Sequence, residues 1–195
     1  MSKKLDINEN HLLLLTLFTK GYRNEYYIRE IAARLPISHG TVQTILCDLE
    51  AKQVLESTLK GKIRMFRVKH TPTAVEYLIL AEIYKKIGML KETPYISELM
   101  EKIDLYITGC AVIFGSYAKG IATEESDLDL FVAGKCDRSA IDQTARKYAI
   151  EVNTVMCPRD AFSQGLTTDH LIREILDEHI IWKETEFFVR TVMAE

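Results

Sequence analysis

One short stretch constrains this chain more than any other. The dipeptide Gly115 and Ser116 is followed, after ten further residues, by two aspartates, Asp127 and Asp129, separated by one leucine. The apolar run 107–114 precedes the glycine and predicts a buried strand. Backbone amides at a turn from a strand into a helix form a positive concavity for phosphate, and glycine lets phosphate oxygens approach the main chain closely. We therefore predict a phosphate-binding turn here, to which the serine adds a hydroxyl.

The two aspartates predict a divalent cation site beside that turn. Asp127 and Asp129 are two apart on a predicted strand, so both carboxylates project from one face, while Leu128, Leu130 and Val132 face the core. Adjacent carboxylates repel unless a cation lies between them, and oxygen ligands favour Mg²⁺ or Mn²⁺. Together with the phosphate-binding turn, this predicts nucleotidyl transfer from a nucleoside triphosphate (NTP). The alternative is a pair of ordinary surface acids after a turn, which the full spacing disfavours.

The stretch resembles the DNA polymerase beta nucleotidyltransferase superfamily, and within it the minimal nucleotidyltransferases, whose members often act as antitoxins. The resemblance covers about residues 105–182. It implies that Gly115 and Ser116 bind phosphate and that Asp127 and Asp129 bind Mg²⁺ or Mn²⁺. It also implies an NTP substrate, expected to be ATP, and an acceptor hydroxyl on a partner protein that is toxin-like.

A third carboxylate on a later strand is part of the family pattern. Glu151, in the β-prone run 150–155, is the candidate, although aspartate is commoner there. If Glu151 is only a solvated strand residue, the domain would bind NTP without turnover. Lys119 is a further candidate for contact with the triphosphate, and a solvated helix charge is the alternative for it.

The N-terminal part predicts a different module, with three helices and a β-hairpin. The predicted elements are helices over residues 8–20, 25–35 and 38–52 and strands over residues 54–59 and 63–68. This is the outline of a winged helix-turn-helix.

The third predicted helix has an inward apolar stripe, formed by Val42, Ile45, Leu46 and Leu49. Its outward positions carry side chains able to read base edges in a major groove or to allow close backbone approach, namely His39, Gly40, Gln43 and Thr44. Alternating cations on the hairpin are placed to contact phosphates, namely Lys60, Lys62 and Arg64. We therefore predict binding of double-stranded DNA.

Two motifs in this part resemble winged-helix transcriptional regulators of prokaryotes. I-R-E-I-A, from Ile28, opens the first helix of the pair, and S-x-G-T-V, from Ser38, opens the recognition helix. The resemblance covers about residues 8–70. The alternative is a winged helix used purely for protein contacts, and Asp48 on the outer face argues mildly against a strongly electrostatic interface.

Charge divides the chain in the same way. Residues 1–70 hold 12 basic and 7 acidic side chains, whereas residues 71–195 hold 13 and 21. We predict a winged-helix domain at 1–71, a helical connector with a possible role in dimerisation at 72–104, and a nucleotidyltransferase domain at 105–195. The fold class expected is two domains, an α+β winged helix and an α/β nucleotidyltransferase fold with a small mixed sheet.

The remaining expectations concern location, assembly and competing functions. No apolar run reaches the roughly 18 residues of a membrane helix and the N-terminus lacks a signal-peptide pattern, so we expect a cytoplasmic protein without membrane contact. A homodimer is expected because winged helices commonly read paired half-sites. The main function expected is transfer of a nucleoside monophosphate, with autoregulatory DNA binding. The alternatives are a regulator that senses NTP without turnover and an enzyme that modifies small molecules.

Overall fold

A computed structural model of the protein describes residues 6–194. The chain divides into two compact units, Met1–Tyr84 and Lys85–Glu195, called here the N-terminal and C-terminal units. The division falls within one helix, α4 (Pro72–Glu92).

The described residues of the N-terminal unit begin with three helices and three strands. In chain order these are α1 (Glu9–Phe18), β1 (Tyr26–Tyr27), α2 (Ile28–Arg34), α3 (His39–Ala51), β2 (Leu55–Lys60) and β3 (Ile63–Val68). The strands form an antiparallel sheet in the order β1-β3-β2. The hairpin register runs from Leu55 opposite Val68 to Lys60 opposite Ile63.

Helix α3 forms where the sequence predicts it. The Ser38 hydroxyl caps its first turn by accepting a hydrogen bond from the Thr41 amide at 3.2 Å. The predicted inward stripe is buried, with Val42, Leu46 and Leu49 fully inaccessible to solvent. Helix α3 therefore presents one apolar face to the core and leaves the opposite face to solvent.

Helix α2 is shorter than predicted at its start. The sequence predicted a helix from about Glu25, but Tyr26 and Tyr27 instead form β1, which pairs with Phe66 and Met65 of β3. The Tyr26 ring packs edge-on against Phe18, with ring centroids 5.2 Å apart. Pairing with the hairpin and this aromatic contact therefore override the helical pattern.

The described residues of the C-terminal unit form a sheet covered by helices. Its elements after α4 are α5 (Pro94–Ile103), β4 (Ile107–Phe114), α6 (Gly115–Ala118), β5 (Leu128–Cys136), α7 (Arg138–Ala145), β6 (Val152–Cys157), α8 (Arg159–Gly165), α9 (His170–Asp177), β7 (Ile180–Lys183) and α10 (Thr185–Met193). The strand order is β6-β5-β4-β7. Strands β5 and β6 are parallel, and the other neighbouring pairs are antiparallel.

Apolar side chains cover both faces of this sheet. Leu128, Leu130 and Val132 of β5 belong to a buried cluster with residues of α5 and α7. On the other face, Phe131 packs against Phe162 of α8, with centroids 5.8 Å apart. Because the middle strands are buried on both sides, polar side chains on β5 can reach solvent only near its ends.

The tail contains a strand that the sequence analysis did not predict. The sequence predicted a helix from about Asp169 onward, but strand β7 interrupts the helices and pairs with β4. Ile180 is buried in the cluster, and the Trp182 indole donates a hydrogen bond to Asp104 Oδ1 at 3.1 Å. Consecutive β-branched and aromatic residues favour a strand once an edge is available for pairing. Among the described helices, none combines the length and the apolar character that crossing a bilayer requires.

Candidate functional site

The centre of the candidate site is the contact between Gly115 and Asp129. Strand β4 ends at Phe114, which lies opposite Asp129 in the antiparallel pair with β5. Gly115 then turns the chain into α6 with a φ of 68°. A Cβ atom at Gly115 would lie 2.0 Å from Oδ2 of Asp129, so the carboxylate occupies the space that a side chain would need. The turn therefore requires glycine both for its backbone conformation and for this contact.

The two aspartates converge on a third side chain, Asn153. The Nδ2 atom of Asn153 lies 3.4 Å from Oδ2 of Asp127 and 3.4 Å from Oδ1 of Asp129. In the parallel pair of β5 with β6, Asn153 stands directly beside Asp129. Asp127 is exposed and Asp129 half-buried, so both carboxylates are open to a ligand from solvent.

Hydroxyl groups line the turn next to these carboxylates. Ser116, the second residue of α6, is half-buried. The Tyr117 hydroxyl lies 3.3 Å from the Tyr95 hydroxyl and 3.4 Å from the carbonyl oxygen of Ser126. Burial raises the pKa of Tyr117 well above its ordinary range, and Tyr95 and the negative charge of Asp127 raise it further. Tyr117 is therefore a neutral hydrogen-bond donor at physiological pH.

Lys119, the predicted contact for the triphosphate, follows α6 and is exposed. Its ammonium lies 3.9 Å from a carboxylate oxygen of Glu174 on α9. Both side chains are about half accessible, so solvent screens this pair and leaves the lysine able to move. The structure thus places Lys119 at the end of the turn that carries Gly115 and Ser116.

Glu151 is not gathered with the two aspartates. Within residues 6–194, no three His, Cys, Asp or Glu side chains come together in an arrangement that could hold one metal ion. Glu151 is exposed and precedes β6, and its carbonyl oxygen accepts the Leu128 amide at 2.9 Å. It borders an open groove of about 840 Å³ that is also lined by Arg138 and Arg146.

Sequence reasoning chose Glu151 because it looked for a carboxylate, and it overlooked Asn153. Glu151 and Asn153 are two residues apart, so alternation alone does not separate them. What separates them is a side-chain contact, because only the Asn153 amide lies 3.4 Å from an oxygen of each aspartate among the contacts of the described residues. No local feature of the sequence reports that contact.

The donor set fits one divalent cation. Mg²⁺ is usually held by one or two carboxylates, with substrate phosphates and water completing its shell. Asp127 and Asp129 supply the two carboxylates, and the turn at Gly115 and Ser116 lies beside them. The residues present therefore suit an ion that arrives together with a nucleotide.

The candidate nucleic-acid surface lies in the N-terminal unit. Four positions on the solvent side of α3 are exposed, namely His39, Gly40, Gln43 and Thr44. The Thr44 hydroxyl donates a hydrogen bond to the Gly40 carbonyl at 3.0 Å, which occupies its proton. The structure brings these four positions together on one helical face.

The hairpin cations are less available than the sequence suggests. Lys60 forms an ion pair with Glu25 at 2.5 Å. Arg64 pairs with Glu50, and its Nε donates a hydrogen bond to the Ser57 hydroxyl at 2.8 Å. The hydrogen bond from Ser57, with that of Arg64, lowers the pKa of the Glu50 carboxyl. Carboxylates of the protein therefore already compensate part of the positive charge.

A family model matches a segment of the C-terminal unit, and one curated relative matches part of the chain. Residues 96–182 match the family model described as a nucleotidyltransferase domain. The chain is 32% identical over 71 residues to "Putative protein adenylyltransferase MJ0604" of Methanocaldococcus jannaschii. That match covers 34% of this chain and 70% of the relative.

Two solved structures show weaker likeness. AF1382 from Archaeoglobus fulgidus is 25% identical with a TM-score of 0.35, covering 46% of this chain and 94% of its own. The archaeal chromatin protein TrmBL2 is 12% identical with a TM-score of 0.25, covering 84% of this chain and 76% of its own. At these TM-scores neither likeness supports an argument about fold or function.

The family match and the site agree in position. The matched residues 96–182 contain the turn at Gly115 and the carboxylates of Asp127 and Asp129. The chain also matches 70% of the length of the adenylyltransferase relative, at 32% identity. The chain therefore belongs to the nucleotidyltransferase domain family.

Proposed function

We propose that the C-terminal unit transfers a nucleoside monophosphate from an NTP to a hydroxyl group on a partner protein. The observation that carries this proposal is the convergence of the Asp127 and Asp129 carboxylates beside Gly115. The name of the relative, a protein adenylyltransferase, favours ATP as the donor and a protein as the acceptor. A toxin-like protein is the partner that the antitoxin-like resemblance suggests.

Each part of the site has a role in this reaction. The turn at Gly115 and Ser116 binds a phosphate group of the triphosphate, and Lys119 at its end is placed to approach the same group. Asp127 and Asp129 would hold a Mg²⁺ or Mn²⁺ ion, which would neutralise part of the negative charge on the phosphates. The acceptor oxygen bonds to the α-phosphorus, the bond from this phosphorus to the β-phosphate oxygen breaks, pyrophosphate leaves, and the hydroxyl proton passes to solvent.

A direct test is transfer of label. The protein is incubated with Mg²⁺, ATP labelled in the α-phosphate, and partner proteins taken from the neighbouring genes. We expect label on one partner with release of pyrophosphate, and loss of both with Asp127→Ala. Absence of label on every partner, with intact nucleotide binding, would contradict transfer to protein.

For the N-terminal unit we propose a winged helix that binds double-stranded DNA and autoregulates expression. The exposed face of α3 and the exposed hairpin tip at Lys62 support this proposal. A homodimer that reads two half-sites stays a prediction, and light scattering at working concentration tests it. A monomer that binds one half-site would contradict the paired arrangement.

A second candidate function is favoured by Asn153. A site with two carboxylates and a neutral amide could bind NTP as a signal without turnover. In that case NTP would change the affinity for operator DNA without release of pyrophosphate. Measuring both quantities in one titration separates the two candidates.

A further inference from the structure

We propose that Asn153, rather than Glu151, holds the third position of the site, and that its uncharged amide keeps nucleotidyl transfer slow. This inference rests on the proposed transfer function and concerns the regulation of its rate.

The position of Asn153 follows from the sheet. Strand β6 runs parallel to β5, and the register places Asn153 beside Asp129. Its Nδ2 lies 3.4 Å from one carboxylate oxygen of each aspartate, so a single amide bridges Asp127 and Asp129. Any side chain at position 153 that faces the same way therefore contacts the space between the two carboxylates.

The chemistry of an amide explains its effect on the carboxylates. An asparagine NH₂ group has two hydrogens, one for each carboxylate, and so reduces their repulsion when no cation is present. At 3.4 Å these hydrogen bonds are long and weak. When a cation binds, the amide can turn its carbonyl oxygen toward the ion and act as a neutral ligand. The site is thus stable without a metal ion. When an ion binds, only Asp127 and Asp129 contribute negative charge to its coordination.

The same chemistry limits the transfer step. A carboxylate at position 153 would add a third charge and could accept the proton of the attacking hydroxyl. An amide does neither, because it does not take up a proton at neutral pH. A positioned general base contributes on the order of 10²–10⁴-fold to a rate. Asn153 therefore withholds that contribution from this chain.

Glu151 does not supply the missing third carboxylate in this structure. Its carbonyl oxygen accepts the Leu128 amide at 2.9 Å, but within residues 6–194 no third acidic side chain joins the two aspartates in an arrangement that could hold one metal ion. Its surroundings include Arg138 and Arg146 along the groove beside β6.

The test compares Asn153→Asp with a charge-matched control, Gln143→Glu, on the exposed side of α7. Two readouts are used with the full-length protein: Mn²⁺ affinity, measured by electron paramagnetic resonance without nucleotide and again with ATP, and pyrophosphate release with ATP and partner. We expect N153D to bind Mn²⁺ about tenfold more tightly or better, and to release pyrophosphate about 10²-fold faster, the low end of a general-base contribution. Q143E should change neither readout.

The outcomes separate this inference from the proposed function. If wild type binds Mn²⁺ with ATP but N153D matches wild type in both readouts, the inference fails and the proposed function stands. If neither protein binds Mn²⁺ with ATP, both fail. Weaker Mn²⁺ binding by Glu151→Gln would assign the third position to Glu151 and overturn the inference.

A second variant covers the case in which N153D folds poorly without metal. Asn153→Ala removes the bridging amide without adding charge, so repulsion between Asp127 and Asp129 should lower Tm in EDTA, and Mn²⁺ should restore it. An N153A protein with the Tm of wild type in EDTA would contradict the bridging role.

Discussion

The carboxylate of Asp129 lies where the side chain of residue 115 would be if that residue were not glycine. A Cβ at Gly115 would stand 2.0 Å from Oδ2 and 3.0 Å from Cγ of Asp129. The end of β4, which forms the proposed phosphate-binding turn, and the start of β5, which carries Asp129, are therefore in direct contact. This contact makes the two halves of the sequence motif a single site.

Gly115→Ala should damage the site more than it damages the fold. The left-handed backbone, φ 68°, costs a non-glycine residue roughly 1–2 kcal/mol, and the new methyl group displaces the Asp129 carboxylate. We expect the affinity for Mn²⁺·ATP to fall on the order of 10–100-fold, which is the range found when a residue that orients a metal-binding side chain is changed. Isothermal titration calorimetry measures the affinity.

Gly120→Ala is the matched control for that experiment. Gly120 has nearly the same φ, 67°, but a Cβ there meets no atom within 4 Å. G120A should lose similar stability in thermal unfolding and keep its affinity for Mn²⁺·ATP. Equal losses of affinity in both variants would show that strain, not the contact with Asp129, is responsible.

Removing Glu50 should strengthen DNA binding. Glu50 pairs with Arg64 on the hairpin and so competes with phosphate for this guanidinium. In Glu50→Gln we expect higher affinity for double-stranded DNA. We also expect the affinity to fall more steeply with salt concentration, by an amount that corresponds to about one more released counterion. Fluorescence anisotropy over a range of salt concentrations provides both values, and an unchanged slope would exclude Arg64 as a phosphate contact.

Gln43 and Lys62 should act differently on DNA. Gln43 lies on the exposed face of α3, where it can read base edges, so Gln43→Ala should reduce preference for the operator over unrelated DNA. Lys62 lies at the hairpin turn, so Lys62→Ala should weaken binding to all DNA sequences. It should also reduce, by about one, the slope of log binding constant against log salt concentration. The opposite assignment of the two effects would refute the proposed docking.

The raised pKa of Tyr117 predicts a loss of stability in alkali. Burial, Tyr95 and Asp127 all favour the neutral phenol in the folded state. The stabilisation is therefore fully present below the ordinary pKa of about 10 and falls as pH rises above it, since only the unfolded chain ionises readily there. Urea unfolding should show the advantage of wild type over Tyr117→Phe shrinking above about pH 10. A constant difference would contradict this account.

Several parts of the fold and site follow from local sequence. Apolar and polar residues alternate along β5, and Gly115 and Asp129 have a fixed spacing in the chain. Both features involve residues close in sequence, and they predict the turn and the converging carboxylates. The apolar stripe of α3 and its Ser38 cap are local in the same sense.

The features that the sequence did not reveal depend on pairing between distant segments. Asn153 lies at the site because β6 runs parallel to β5 in one register, and strand β7 forms because β4 offers it an edge. The acids that neutralise the hairpin, Glu25 and Glu50, are remote in sequence from Lys60 and Arg64. Counting charges along the chain cannot detect such pairs.

Whether Asp127 and Asp129 bind a divalent cation is decided by titrating the protein with Mn²⁺ and a non-hydrolysable ATP analogue. Wild type is titrated beside the isosteric double variant Asp127→Asn, Asp129→Asn, with folding checked by circular dichroism. We predict one Mn²⁺–nucleotide complex per chain in wild type and an affinity lower by about 10²-fold or more in the variant, because the ion loses both charged ligands. Equal affinity in the two folded proteins would contradict a metal site at these aspartates.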